Sequence, residues 1–248
     1  MKILVCISHV PDTTSKINFA NSDTTFDTNG VQFVINPNDE FGLTRAIWFK
    51  EKNGDQVTVI NVGEADTEPT LRKALAIGAD EAIRVNAQPL DSFFVASQLA
   101  DAVKNGGYDL ILAGKESLDY NGGVVPGMVS ALTGINFVNG CIGLEVENGQ
   151  ATVVREIDGG KETLSASLPL IVGVQKGVVE EKDLRIPNMR GIMTARQKAL
   201  TVLESNGASV QSKVVKFDKP AAKSAVKMVS ATQLDELIEL LHKEAKVI

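Results

Sequence analysis

The first half of this chain switches its apolar spacing between that of a strand and that of a helix, again and again, and few folds accept such a pattern. Ile3 to Ser8 reads as a strand. So do Asp55 to Val62, with the run Val57-Thr58-Val59-Ile60-Asn61-Val62, then Ala82 to Val85, and Leu110-Ile111-Leu112-Ala113. Helical segments lie between them. Asn36-Pro37-Asn38-Asp39 ends an extended run and opens a helix carrying Phe41, Leu43, Ala46, Ile47 and Phe49. Thr67 to Ile77 forms another, with Thr67 as the expected N-cap before Glu68-Pro69 and Gly78 at its end. Asp91 to Lys104 and Gly123 to Leu132 complete the set, closed by Gly106-Gly107 and Gly134. A short β excursion from Ile17 to Val34, with turns at Asn21-Ser22-Asp23 and Asn29-Gly30, interrupts the rhythm once. The order predicts the α/β class: a doubly wound, mainly parallel, Rossmann-like sheet. Ligands of such sheets bind beyond the carboxyl ends of the strands, where the strand order reverses.

Composition narrows the chemistry. A chain of 248 residues with 44% hydrophobic content can bury a sizeable core. No apolar run approaches the length of a membrane helix, so no membrane insertion is expected. Met1-Lys2-Ile3-Leu4-Val5-Cys6 suits a first strand better than a signal peptide, and a cytoplasmic location is the default expectation. Net charge is -6, which argues against nucleic acid as the main partner. Cys6 and Cys141 stand far apart, and the only histidines are His9 and His242. Neither a metal cluster nor a Ser-His-Asp arrangement is well provided for.

One loop has the look of a ligand site. Gly114-Lys115-Glu116-Ser117-Leu118-Asp119-Tyr120-Asn121-Gly122-Gly123-Val124-Val125 leaves a strand and enters a helix. Gly122 and Gly123 allow close approach of the backbone, and the helix entry offers N–H groups to a phosphate. The loop is neither a Walker A motif nor Gly-x-Gly-x-x-Gly. The same glycines would equally serve a helix entry that binds nothing.

Beyond Val174 the rhythm stops. Gln175 to Arg190 has no clean period and holds Pro187. Gly191 to Lys198 suits one or two helical turns. Ala199 to Ser230 reads as mostly extended. Ala231 to Val247 reads as an amphipathic helix with Leu234, Leu237, Ile238, Leu240, Leu241 and Ala245 on one face. Such a tail either folds back on its own domain or wraps a partner. The expected organisation is an α/β domain over 1–198, with a projecting loop near 183–198, and an arm over 199–248.

A hairpin carries the most specific signal. Arg155-Glu156-Ile157 leads to the turn Asp158-Gly159-Gly160, then Lys161-Glu162-Thr163-Leu164 returns, and Pro169 opens the apolar run Leu170 to Val174. This order resembles the signature of the electron-transfer flavoprotein β subunit. Arg155, Asp158, Gly159, Gly160, Glu162, Leu164 and Pro169 all match, while Gly173 departs from the small Thr, Ala, Cys or Ser usual there. The Asn36-Pro37 helix start, the Gly63 turn, Leu71 to Asp80 and the Gly114–Val125 loop resemble the same family, in the same order.

The resemblance implies an electron carrier, not a self-sufficient enzyme, and makes the domain over 1–198 a nucleotide-binding one. It implies AMP buried at Cys6, Asn36, Pro37, Asn38, Asp39, Val62 and Gly114 to Val125, which includes Asp119, Tyr120, Asn121, Gly122, Gly123 and Val124. Val125 replaces a frequent Thr, so a hydroxyl contact to phosphate is lost. Asp119 is expected to hold its loop rather than face phosphate. A larger α subunit would hold most of the FAD. The pair would take electrons from flavoproteins such as acyl-CoA dehydrogenases and pass them to a quinone oxidoreductase. Glu156 matches a position facing the α subunit, and Met189 takes the place of an anchoring leucine in the loop that meets the dehydrogenase. Two alternatives remain at this stage: a bifurcating relative with a second FAD in place of AMP and NADH as donor, and a nucleotide-sensing stress protein.

Overall fold

The alternation folds as its periods require. The computed structural model describes residues 1–223 and 225–248. Strands β1 (Lys2–Cys6), β2 (His9–Pro11), β3 (Phe19–Ala20), β4 (Thr25–Phe26) and β5 (Phe33–Ile35) precede helix α1 (Pro37–Asn53). Then come β6 (Gln56–Val62), α2 (Glu68–Ile77), β7 (Glu81–Asn86), α3 (Ser92–Gly106), β8 (Leu110–Gly114) and α4 (Val125–Thr133). The second half contains β9 (Asn136–Glu147), β10 (Gln150–Ile157), β11 (Gly160–Ser167), β12 (Leu170–Val174), α5 (Met189–Ala195), β13 (Leu200–Glu204) and α6 (Leu234–Glu239).

Nine strands share one sheet in the order β11-β10-β9-β12-β8-β1-β6-β7-β13. Pairing is parallel from β9 through β13 and antiparallel only at β9-β10 and β10-β11. Central strands are buried on both faces, which is why they read as unbroken apolar runs. Ile3, Val5, Val57, Val59, Leu110, Leu112, Leu170 and Val172 join one core layer. Leu4, Ile60, Ile111 and Ile171 join the other, with α3 residues Phe94 and Leu99. From β1 the chain steps outward to β6 and β7, then returns to place β8 on the other side of β1. The reversal lies between β1 and β8, and their carboxyl ends define the crevice where a ligand of such a sheet belongs.

Several elements differ from their sequence reading. Thr67 does not cap α2. Its hydroxyl donates to the Glu64 carbonyl (2.9 Å), because a short 3-10 turn, Ala65–Thr67, runs straight into the helix. Helix α4 starts at Val125, two residues past Gly123. Within 183–198 the residues do not all project as a loop: Met189–Ala195 is helical, because Asn188 caps it through the Gly191 N–H (2.8 Å). Leu200–Glu204 opens the extended tail as an edge strand on β7. The last helix is shorter than Ala231 to Val247: α-helical over Leu234–Glu239, then a π-helical turn over Leu240–Ala245. Ser224, within the extended stretch, lies outside the described residues.

Candidate functional site

Three segments far apart in sequence meet at the carboxyl edge of β1 and β8. Asn36 and Asp39 sit at the first turn of α1, both buried. The Asp39 carboxylate bridges the two strand ends: one oxygen accepts from the Ser8 N–H (2.7 Å), the other from the Gly114 N–H (2.8 Å). Any side chain at Gly114 would run into Asp39 and Asn38, so only glycine admits this bridge. Asn36, expected at a helix start, makes no side-chain cap there. Its amide donates instead to the Glu116 carbonyl (2.9 Å) and accepts from the Leu118 N–H (3.2 Å), pinning the foot of the glycine loop. Asn38 donates to the same carbonyl at 3.2 Å.

The loop itself is closed by the Ser117 N–H bonding the Gly122 carbonyl at 3.0 Å. Asp119 accepts from the Ser117 hydroxyl and from the Tyr120 N–H (2.8 Å), so its carboxylate ties the loop. Asn121 takes a left-handed backbone (φ 50) at the bend, and the Tyr120 ring stands 66% exposed. Val124 precedes α4 without a side-chain cap, and Pro126 occupies the first turn. The first N–H groups of a helix have no intrahelical acceptor. Among the described residues no side chain serves them, and such N–H groups beside glycines suit an anion.

Burial sets the electrostatics. It pushes the Asp39 carboxyl up to about 7 against the pull of its hydrogen bonds from Ser8, Asn36 and Gly114. Burial, then the nearby Asp39, pushes the Cys6 thiol up to about 12. Cys6, at the end of β1, is thereby held toward its neutral thiol form. His9 stacks flat on Phe33 (4.4 Å between ring centres) and its Nδ1 meets the Thr70 hydroxyl at 2.8 Å, a packing role. Among the described residues, no three His, Cys, Asp or Glu side chains gather as a metal ion needs.

The electron transfer flavoprotein domain model matches residues 23–208, a span that includes the Asn36–Asp39 turn, the glycine loop and the hairpin. The chain belongs to the electron transfer flavoprotein β-subunit family. It is 34% identical over 227 residues to an electron transfer flavoprotein subunit beta of Syntrophomonas wolfei, covering 91% of this chain and 88% of that protein. The Bacillus subtilis subunit beta is 32% identical over the full length of both chains. The mitochondrial subunit beta of Arabidopsis thaliana is 32% identical, again over the full length of both.

Electron transfer flavoprotein residues singled out from the sequence fall into two groups in space. Cys6, Asn36, Pro37, Asn38, Asp39, Gly114 and the loop to Val125 lie along the β1–β8 crevice. Val62 ends β6 on the other side of β1, buried in the same apolar layer that Cys6 and Val125 pack against. Glu156 and Met189 lie elsewhere. Glu156 accepts from the Gln175 amide (2.8 Å) just past the end of β12. Met189 begins α5 and is 76% exposed, so it fills no core of this chain. Helix α5 is fastened to α2 from below, since Arg72 donates to the carbonyls of Ala195 and Lys198 (2.9 Å each). Ser8, Glu116 and Leu118 contribute backbone groups that no sequence pattern marks, because their partners lie 31 to 82 residues away.

Proposed function

We propose that this chain is the β subunit of a heterodimeric electron-transfer flavoprotein, that it holds AMP in the β1–β8 crevice, and that it is the platform for an FAD-bearing α subunit. The observation that carries the nucleotide reading is the uncapped entry of α4 behind Gly122 and Gly123, locked to α1 by Asn36. In this reading the N–H groups of Gly123, Val124 and Val125 bind the phosphate, and no hydroxyl is needed from Val125. Asn36 and Asp39 act behind the ligand by fixing the loop and the strand ends. FAD, held mostly by the α subunit, supplies the redox chemistry. Electrons would arrive from flavin dehydrogenases of the acyl-CoA dehydrogenase kind and leave to a quinone oxidoreductase.

Acid release of nucleotide from the purified heterodimer tests the reading. AMP and FAD in about equal amounts are expected, from one site for each. Two FAD and no AMP would overturn it in favour of the bifurcating form.

A further inference from the structure

The tail does not leave the body of the molecule at β13. Asn206 is held by the buried Gln98 of α3, its N–H donating to Gln98 Oε1 at 2.9 Å. Asp91, which already caps α3 through the Phe94 N–H (2.7 Å), turns its second oxygen to the N–H groups of Gln211 and Ser212, both at 2.6 Å. Five residues on, the Phe217 N–H donates to the Asp23 carbonyl (2.7 Å), and Lys219 Nζ donates to the Asn18 side chain (3.0 Å). These fastenings lay the tail across the α3 entry and onto the β3–β4 hairpin.

Phe217 occupies a distinct position. Every other residue from Ser209 to Lys223 is exposed; Phe217 alone is half-buried. Its ring stacks on Phe19 at 4.7 Å and 5° and faces Tyr120 at 6.3 Å and 26°. Those separations lie in the range where aromatic pairs attract. Tyr120 belongs to the tip of the glycine loop, whose feet are fixed by Asn36 and by α4. Between those feet the tip, 119–123, is tied within the loop by Asp119 and the Ser117–Gly122 bond, and Tyr120 is its contact with the tail.

We infer that residues 205–219 form a strap that closes the glycine loop, with Phe217 as the positioning residue that holds Tyr120, so that a ligand in the crevice leaves only when the strap lifts. The loop-closing half stands on the contacts alone; the gating half rests on the AMP reading above.

The test uses the full-length chain, Phe217→Ala and Phe217→Trp, with two readouts: backbone hydrogen exchange over 117–124 and the rate of AMP release. Phe217→Ala should speed exchange in the loop and AMP release by about tenfold each, the factor that corresponds to about 1.4 kcal/mol. Phe217→Trp should restore both, and the melting midpoint should stay unchanged, because the ring is peripheral to the sheet. Unchanged loop exchange in Phe217→Ala overturns the strap. Faster loop exchange with unchanged AMP release overturns the gate. Faster loop exchange in chains that take up no AMP at all would uphold the strap and remove the AMP reading instead.

Discussion

Asp39 shows how a single side chain can hold a site that it does not catalyse. Both of its oxygens meet backbone N–H groups, on Ser8 and Gly114, that would otherwise be unpaired in the crevice. Asp39→Asn would turn an amide NH2 against one of those donors. An unsatisfied buried group costs about 1–3 kcal/mol, and a loss of that size is expected in chemical denaturation. The pH dependence follows from the raised carboxyl. A folded value of about 7, above the ordinary carboxylate value, means the native state holds its proton more tightly than the unfolded chain. The stability this contributes is complete below the ordinary carboxylate range and is lost as pH rises through about 7. The advantage of the native protein over Asp39→Asn should therefore be larger at acid pH than at mildly alkaline pH. A constant difference across that range would contradict it.

Gly173, the position that departs from the family signature, has its explanation beside it. The Asn139 side chain from β9 fills the space a Cβ would need, and its Oδ1 is buried without a partner. Gly173→Ala should destabilise by about 1–3 kcal/mol, the usual cost of overpacking. The double variant Gly173→Ala/Asn139→Ala should recover most of that loss. Additive losses in a double-mutant cycle would show the two residues to be independent.

At the scale of elements, α5 is the clearest case of a short helix made by its surroundings. Seven residues are too few to be stable alone. Arg72 and Lys198 bond its C-terminal end to α2, and Gly191 lets its backbone lie against the Ala76 carbonyl. The outward residues are Met189, Ile192 and Met193 alongside Arg190 and Thr194, with Ile186 beside them at 82% exposure. Methionine suits a surface that must adapt to a partner. Met189→Ala should change the melting midpoint little, as exposed substitutions do, and should abolish most electron transfer from the cognate dehydrogenase, as loss of an interface hot spot does. Normal transfer with a lowered midpoint would refute the docking role. Strand β9 is the converse case. It is a long strand, yet Asn136, Asn139, Gly140 and Gly143 break its alternation, and only pairing with β12 on one side and β10 on the other draws it out.

At the scale of the molecule, the tail past Phe217 offers apolar surface that the described residues leave largely uncovered. Leu234, Leu237 and Ile238 in α6 are 62%, 40% and 54% exposed. Burying each such side chain is worth about 1.5–3 kcal/mol. Deleting residues 231–248 should therefore leave the melting of the α/β body unchanged and weaken association with the α subunit by at least tenfold. Equal subunit affinity after the deletion would show that the helix packs elsewhere.

The strand–helix alternation, the parallel sheet and the family signature were legible in the sequence because each rests on local chemistry. Period, caps, turns and the Asp158-Gly159-Gly160 hairpin are set by neighbours along the chain. The sequence also marked the segments of the candidate site, since helix entries and glycine loops are local too. What joins those segments was not legible. The Asp39 bridge to Ser8 and Gly114, the Asn36 hold on the glycine loop, the Asn139–Gly173 fit and the Phe217 contact with Tyr120 each link residues between 31 and 97 positions apart. No spacing rule encodes such pairs. Only the order in which the strands assemble brings them together, and it is that assembly that sets a helix entry with glycines beside the ends of β1 and β8.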